Sequence, residues 1–276
     1  MEDQRLAPCR MLLQESIPSA VWYEDAVGSY GVPTVLFDLH LIVPDVKKAT
    51  EILLRNGWLL EEPNKYSFLR PPCSLHFSRL VPPEDPSREK PMYGTTGTVL
   101  FSAAEWGVPT EILVEATKSD FLPPLCTVVN HMIGTALDTP EDTPLQRRFF
   151  TMLGYLYRYV QDIQGPDFAD QLDLEHRQFH LDSVSRRMIR WTIPFFKHER
   201  QVRDEIRKGH YELRECSAVR TEENKDLFDN PFDAFKIPVN ESLVSDEDED
   251  ESDDAEDEDE EEHAMEDQVA ELAARK

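Results

Sequence analysis

The first half of the chain alternates between short apolar runs and amphipathic segments. Residues 17–31 begin as an apolar strand and turn into a brief helix closed by a glycine. The run 32–44 is apolar and β-branched and is bracketed by prolines, which is typical of a strand buried on both faces. Asp45 stands as an N-cap before residues 46–57, where apolar side chains recur at helical spacing. This alternation predicts an α/β sheet.

Three further strands are predicted before the pattern changes. They are residues 65–70, 74–81 and 97–106, and the proline-rich, charged stretch 82–96 is predicted to be an exposed loop. The segment 110–116 fits either another strand or the start of a helix. The predicted sheet is therefore confined to the first half of the chain.

After about residue 120 the pattern becomes helical. Residues 124–137 and 143–163 both carry apolar stripes, and the second segment opens with a Thr-Pro pair that is typical of a helix start. Residues 182–209 are predicted to form one long helix that Pro194 kinks or splits. We therefore expect a helical region packed on the sheet domain.

The negative charge of the chain is concentrated in one segment. The formal net charge is −26, but residues 246–262 hold 15 of the 55 acidic residues and no basic one. Without that run, 40 acidic residues face 29 basic ones, a difference of −11, so nothing in the overall charge favours nucleic-acid binding. The run has too little apolar surface to fold, which predicts a disordered tail over 245–276 in which only the last residues fit a short helix.

Cysteine usage and hydropathy indicate an intracellular protein. The four cysteines are widely spaced without a C-x-x-C pair, so neither a disulfide framework nor a zinc ribbon is indicated. The first residues show no basic lead before an apolar run, and no apolar stretch reaches the ~18–20 residues that span a bilayer. We expect a soluble protein of the cytoplasm or nucleus with no membrane partner.

The segment from Ala20 to Asp45 carries the most specific pattern. It reads AVWYEDAVGSYGVPTVLFDLHLIVPD, in which Asp38 follows the helix-ending Gly31 by seven residues. This frame resembles the nucleotidyltransferase fold of the polymerase-β-like superfamily over about residues 17–60. It is also similar to a set of divergent fungal proteins of uncharacterised function that carry W-x-E-D-A, YGVPT, FDL and VPD. The resemblance implies a mixed sheet with flanking helices and makes Asp38 the first acid of a metal-binding D-x-D strand.

The departures from that family fall on its chemistry. Tyr23 and Glu24 stand where the family has small residues that approach a triphosphate, and His40 replaces the second acid of D-x-D. Imidazole is a poor Mg²⁺ ligand and suits zinc or other transition metals better. The strand at 74–81 offers no third carboxylate. Retention of Asp38 alone is what we expect of a fold that has lost catalysis.

Two sets of side chains could hold a transition metal. Asp38 and His40 share one face of a strand and could form such a site with His76, or Asp38 could simply accept hydrogen bonds from backbone N–H groups. His176 and His180 have the i, i+4 spacing of zinc ligands. No further ligand pattern accompanies them, so we expect a surface helix there.

A basic stretch precedes the acidic run. Residues 177–214 contain ten Lys or Arg residues against five acids. A flexible tail could fold back over this basic face and screen it from nucleic acid or acidic partners. The alternative is that both segments are simply solvated.

These patterns predict a nucleotidyltransferase-like α/β domain over residues 10–120 and a helical extension over 121–215. A linker over 216–244 and the acidic tail follow. We expect a catalytically degenerate protein that serves as a binding or scaffolding module and needs no cofactor. The alternatives are an active nucleotidyltransferase on a small molecule or nucleic acid, with Asp38 binding Mg²⁺ or Zn²⁺, and a binder of basic proteins through residues 246–262.

Overall fold

The structure is a computed structural model that describes residues 5–62, 69, 76–83, 96–141, 143–165 and 167–228. The described residues all belong to one compact unit, Met1–Pro231. The predicted strand at 65–70 (except Leu69), most of the predicted loop at 82–96, part of the predicted linker and the whole predicted tail lie outside the described residues.

Within the described ranges, a five-stranded mixed sheet occupies the first half of the chain. Its strands are β1 (Ala20–Trp22), β2 (Leu39–Val43), β3 (Leu59–Leu60), β4 (Phe77–Val81) and β5 (Thr98–Ser102). Their spatial order is β1-β2-β5-β4-β3, with β2 and β5 parallel and the other neighbours antiparallel. All of β2 is buried, as its apolar composition predicted. The predicted mixed α/β sheet with flanking helices is therefore confirmed.

Helices flank the sheet and make up the second half of the described chain. They are α1 (Ala7–Gln14), α2 (Glu24–Ser29), α3 (Val46–Arg55), α4 (Thr110–Lys118), α5 (Leu125–Asp138), α6 (Pro144–Tyr159), α7 (Leu174–Ser185) and α8 (Ile193–Arg207). Short 3₁₀ turns lie at Gln161–Gln164, Ala169–Gln171 and Lys225–Leu227. Within the described ranges, no helix combines the length and the apolar character needed to cross a membrane.

Side-chain caps fix where two of these helices begin. The carboxylate of Asp45 accepts a hydrogen bond from the N–H of Lys48 at 2.9 Å, which confirms the predicted cap of α3. The hydroxyl of Thr143 accepts one from the N–H of Gln146 at 3.1 Å and caps α6. Each bond satisfies a backbone donor that has no partner inside the helix.

The predicted strand at 32–44 is shorter than its apolar run. β2 begins at Leu39, and the preceding side chains of Val35, Leu36 and Phe37 are exposed. A strand needs a hydrogen-bonded neighbour, and pairing with β5 starts only at Leu39. An apolar run by itself does not determine where such pairing starts.

The predicted long helix at 182–209 is two helices. α7 ends at Ser185, and a short loop turns the chain before α8 begins at Ile193. Pro194 lies in the first turn of α8, where its missing N–H removes no hydrogen bond, so it starts this helix instead of kinking a longer one. Of the two structures open for residues 110–116, the helix is the one observed.

Two aromatic clusters fill the interior. In the first, the ring of His40 stacks on Phe101 with 5.8 Å between centroids and meets Tyr23 edge-on at 5.5 Å. In the second, between α6 and α8, the rings of Phe150 and Phe196 stack at 3.7 Å. In α6, Phe149 packs against Tyr23 of the first cluster and the neighbouring Phe150 belongs to the second, so this helix contacts both clusters.

Candidate functional site

The register of the sheet places the predicted pair Asp38 and His40 beside an arginine. Neighbouring residues across strands β1, β2, β5 and β4 are Trp22, His40, Val99 and Arg79. Because directly paired residues point to the same face, the side chains of His40 and Arg79 emerge on one side of the sheet. Asp38 precedes His40 by two residues and therefore faces the same side.

Asp38 is bound by Arg79 through both carboxylate oxygens. Nε of Arg79 donates to Oδ2 at 2.8 Å, and its Nη2 donates to Oδ1 at 3.2 Å. The N–H of Gly97 also donates to Oδ1, at 2.8 Å. Asp38 is 5% exposed and Arg79 is 3% exposed. A carboxylate bound by a buried guanidinium and a backbone N–H is satisfied without a metal.

Gly97 is required here because the backbone passes close to this ion pair. A Cβ on Gly97 would lie 2.9 Å from the carbonyl oxygen of Leu80 and 3.0 Å from Cζ of Arg79. Burial lowers the pKa of Arg79, but hydrogen bonds and charge from Asp38 and Glu61 outweigh burial and raise the pKa above its usual value. The guanidinium is therefore a permanent positive charge fixed against Asp38.

His40 belongs to a second polar group, centred on Glu24. Oε2 of Glu24 lies 3.0 Å from Nδ1 of His40, and Oε1 accepts a hydrogen bond from Nη2 of Arg148. Glu24 is 1% exposed. Burial raises the pKa of this carboxyl, but His40 and Arg148 outweigh burial and hold the pKa below its usual value. Glu24 is therefore ionised, and Nδ1 of His40 faces its carboxylate.

Asp25, the next residue, forms an ion pair with a different arginine, Arg5. Nε and Nη2 of Arg5 donate to its two oxygens at 2.5 and 2.8 Å. The same guanidinium donates to the backbone carbonyl oxygen of Asp38 at 3.2 Å. We use the name paired-acid site for the acids Glu24, Asp25 and Asp38 together with Arg148, Arg5 and Arg79. Each acid in this site is matched by an arginine from a distant part of the chain.

The backbone of Tyr23 is unusual at this site. Tyr23 has φ of +57°, a conformation that glycine adopts easily and that bulky residues rarely adopt. Its side chain is buried, with its ring 5.8 Å from that of Phe149. The turn before α2 thus has glycine-like geometry but carries an aromatic side chain.

His76, the third predicted ligand, lies at the other end of β2. The register pairs the following residue, Phe77, with Phe101 of β5, beside the carboxyl end of β2. Nδ1 of His76 is 3.0 Å from Oε1 of Glu105, and both residues line a cavity of about 420 Å³. The structure thus brings Asp38 and His40 to one face, binds each to different partners and leaves His76 apart from them.

His176 and His180 are buried in α7, so the predicted surface helix is wrong. They are 4% and 2% exposed. Nδ1 of His176 lies 2.9 Å from Oδ1 of Asn130, and Nδ1 of His180 lies 3.0 Å from the hydroxyl of Tyr157. Burial lowers the pKa of each to about 4, so both rings are neutral at pH 7. Polar partners from α5 and α6 make this burial possible. The spacing of the histidines in the sequence gives no information about those partners.

One group of three metal-type side chains comes together within the described ranges: Asp182, His198 and Glu199, with ligand atoms within 4.8 Å of one another. Asp182 accepts hydrogen bonds from the N–H of Ser217 at 2.7 Å and from its hydroxyl, which also lies 2.6 Å from Nε2 of His198. Burial and the charge of Asp182 raise the pKa of Glu199 well above its usual value. Burial therefore favours the protonated form of Glu199, and Asp182 and His198 hold Ser217 against α7 and α8.

The arginines of the paired-acid site were not predicted. Arg79 carried one usable signal, since it is the single basic residue of the apolar strand β4 and a buried guanidinium requires an acid partner. Arg148 carried none, because it comes from α6 and lies 124 residues from Glu24 in sequence. Only the packing of α6 against the sheet domain brings Arg148 and Glu24 together.

No protein-family model matches this chain, and no curated protein is significantly similar to it. Among solved structures, the chain is similar to the crystal structure of JHP933 from Helicobacter pylori, at 14% sequence identity. The similarity covers 76% of this chain and 91% of that chain, with a TM-score of 0.35. A TM-score of this size does not establish a common fold.

Proposed function

We propose that this chain is a catalytically degenerate, nucleotidyltransferase-like protein that acts as a binding or scaffolding module. The observation that carries the proposal is the state of Asp38, whose two carboxylate oxygens are taken by Arg79 and the N–H of Gly97. Metal-dependent nucleotidyl transfer needs carboxylate oxygens that are free to bind Mg²⁺. Releasing Asp38 to a metal would take its carboxylate away from Nε and Nη2 of the buried Arg79, whose Nη1 is bound to Glu61, and separating a buried ion pair in this way is costly.

The turn before α2 supports the same proposal. Tyr23 fills this turn with a buried ring, and the carboxylates of Glu24 and Asp25 are bound to Arg148 and Arg5. A phosphate-binding turn needs backbone N–H groups open to an anion and small side chains that allow close approach. An aromatic ring and two carboxylates at these positions oppose both requirements.

Neither alternative gains support from a described contact. An active transferase would require Asp38 to exchange Arg79 for a metal ion, and His40 faces Glu24 in place of such an ion. Binding of basic proteins through residues 246–262 concerns a segment outside the described residues and stays a prediction from composition.

Thermal unfolding of the full chain with Mg²⁺–ATP, with Zn²⁺ and without ligand tests the proposal. Asp38→Asn is expected to lower the unfolding temperature in all three conditions, because Arg79 loses the charge of its buried partner and keeps only that of the exposed carboxylate of Glu61 beside its Nη1. We expect any shift caused by Mg²⁺–ATP to be the same in Asp38→Asn as in the wild type. The control is Asp45→Asn, which removes the same charge from an exposed N-cap where Asn caps equally well.

One result would overturn the proposal. Stabilisation by Mg²⁺–ATP or Zn²⁺ that appears in the wild type and in Asp45→Asn, but is lost in Asp38→Asn, would mean that Asp38 binds the metal. A ligand that binds only the folded state raises stability by RT ln(1 + [L]/Kd), so even weak metal-dependent binding is measurable at high ligand concentration.

A further inference from the structure

A large cavity lies between α6, the 3₁₀ turn that follows it, and the loop joining α7 to α8. Its volume is about 720 Å³, within the range of roughly 300–1,000 Å³ that small-molecule sites occupy. Three of its lining residues are arginines, and none of the described lining residues carries a carboxylate. We use the name arginine cavity for this space, whose key lining residues are Tyr155, Tyr157, Arg158, Arg186, Arg190 and Trp191.

Most basic side chains of residues 177–214 are paired with a carboxylate, and two of the remaining three line the arginine cavity. Seven of the ten basic side chains in that stretch lie within ion-pair distance of a carboxylate: Arg177, Arg187, Lys197, Arg200, Arg203, Arg207 and Lys208. Of the other three, Arg186 and Arg190 line the cavity, and Arg214 lies over the ring of Tyr211. The uncompensated charge is therefore local to one concave site.

Arg190 shows the electrostatic consequence. It is half-buried, and its Nη1 donates to the backbone carbonyl oxygen of Ser183. Burial, followed by the positive charge of Arg186, lowers the pKa of Arg190 below its usual value. Two guanidinium groups that repel each other in a cavity without a carboxylate are stabilised when an anion enters it.

The backbone of the loop is strained where it forms the cavity wall. Trp191 has φ of +63°, which is rare for a bulky side chain, and Arg186 has φ of +56°. The ring of Trp191 lies 5.4 Å from that of Tyr157 and 6.1 Å from that of Phe195, so packing holds the strained residue in place. Strain of this kind persists where the surrounding structure enforces it, and it is concentrated at binding sites.

We propose that the arginine cavity binds a small ligand that carries two or more phosphoryl groups. The planar guanidinium fork matches phosphate oxygens in pairs, and three such groups in one cavity suit a compact, multiply charged anion. A nucleic-acid strand would need a continuous basic track. Within the described stretch 177–214, the basic residues outside the cavity are mostly paired with acids and do not provide one. This inference assigns a ligand class to the binding role proposed above, and rests on that role.

Titration of the full chain with tripolyphosphate in physiological salt tests the assignment, with Trp fluorescence and calorimetry as readouts. The test variants are Arg158→Gln and Arg186→Gln, whose side chains are exposed, so their loss leaves the fold intact. The matched control is Arg187→Gln, which removes the same charge beside the cavity from a residue paired with Glu215 at 2.5 Å. We expect each test variant to weaken binding about tenfold or more and the control to change it less than about twofold.

Equal weakening in Arg187→Gln and Arg186→Gln would overturn the assignment, because it would indicate diffuse attraction to a basic surface. Inorganic phosphate tests the number of phosphoryl groups, and binding as tight as that of tripolyphosphate would contradict a requirement for two. A synthetic peptide of residues 246–262 tests a carboxylate ligand in trans. Displacement of tripolyphosphate by this peptide at lower concentration would overturn the phosphoryl assignment in favour of an acidic segment.

A metal site at Asp38 and an anion site in the arginine cavity are distinguished by different variants. If ATP stabilises the chain through its triphosphate in the arginine cavity, the effect is lost in Arg186→Gln and kept in Asp38→Asn. If it does so through a metal at Asp38, the pattern is reversed. If neither the wild type nor any variant binds tripolyphosphate, the ligand assignment is refuted, and the paired state of Asp38 is unaffected.

Discussion

The paired-acid site and the arginine cavity distribute their charges in opposite ways. In the paired-acid site, Glu24, Asp25 and Asp38 are buried and each accepts hydrogen bonds from an arginine. In the arginine cavity, three arginines line a concave surface without a described carboxylate. The first arrangement is complete within the chain, so it stabilises the fold. The second is incomplete, so a partner from outside can complete it.

This difference has a direct energetic consequence. Removing one member of a buried pair leaves the other charge unpaired in a low-dielectric interior, which is strongly destabilising. Removing an exposed arginine that repels its neighbour costs little or nothing. The same chemical change, loss of one guanidinium, should therefore affect folding in one region and ligand binding in the other.

The largest effect is expected for Arg79→Met. Asp38, which is 5% exposed, would keep its charge without a cation, and we expect the free energy of unfolding to fall by about 3–5 kcal/mol. Urea unfolding measures this change. Arg55→Met serves as control, since it removes an arginine from an exposed ion pair in which Nη2 of Arg55 lies 3.7 Å from Oε2 of Glu15. The double variant Asp38→Asn with Arg79→Met should recover part of the loss, and a double variant as unstable as the sum of the two single variants would show that the pair is not coupled.

A smaller loss, about 2 kcal/mol at neutral pH, is expected for Glu24→Gln. The pKa of Glu24 in the folded protein is below its usual value of 4.5, so its stabilising charge is fully present above pH 4.5. This contribution is lost as the pH falls through the lower folded pKa. Unfolding curves at several pH values should therefore show the variant and the wild type converging under acidic conditions. A difference that stays constant down to low pH would contradict this role.

The opposite pH dependence is expected from Glu199. Its pKa in the folded protein is raised well above 4.5, mainly by burial, so its contribution to stability is fully present below pH 4.5. That contribution decreases by up to about 1.4 kcal/mol per pH unit as the pH rises toward the folded pKa. Glu199→Gln should remove this decrease, whereas Glu212→Gln, at an exposed position, should not. An unchanged pH profile in Glu199→Gln would refute the protonated state.

The smallest effect on folding is expected for Arg186→Gln. Arg186 is exposed and its positive charge opposes that of Arg190, so we expect the free energy of unfolding to change by no more than about 0.5 kcal/mol. Thermal unfolding at low salt, where the repulsion is least screened, is the most sensitive measurement. A loss comparable to that of Arg79→Met would mean that the arginine cavity is part of the folding core, and the contrast between the two regions would disappear.

The sequence determined the elements whose signals are local. The mixed sheet, α3 with its Asp45 cap and α6 with its Thr143 cap could be predicted because apolar spacing and capping involve residues close in the chain. The sequence also separated the acidic run at 246–262 from the rest of the protein by composition alone. The start of β2 at Leu39 could not be predicted, because it depends on where β5 begins to pair.

The tertiary structure decided which charges meet. Asp38 in the sequence fits a metal ligand, a hydrogen-bonded strand residue or an ion-pair partner, and only the register of β2, β5 and β4 places Arg79 against it. The basic stretch 177–214 suggests an even positive face, but helix packing pairs most of it with acids and leaves Arg186 and Arg190 at one cavity. Ion pairs form between side chains that are adjacent in space, and residues far apart in sequence become adjacent only when the chain folds.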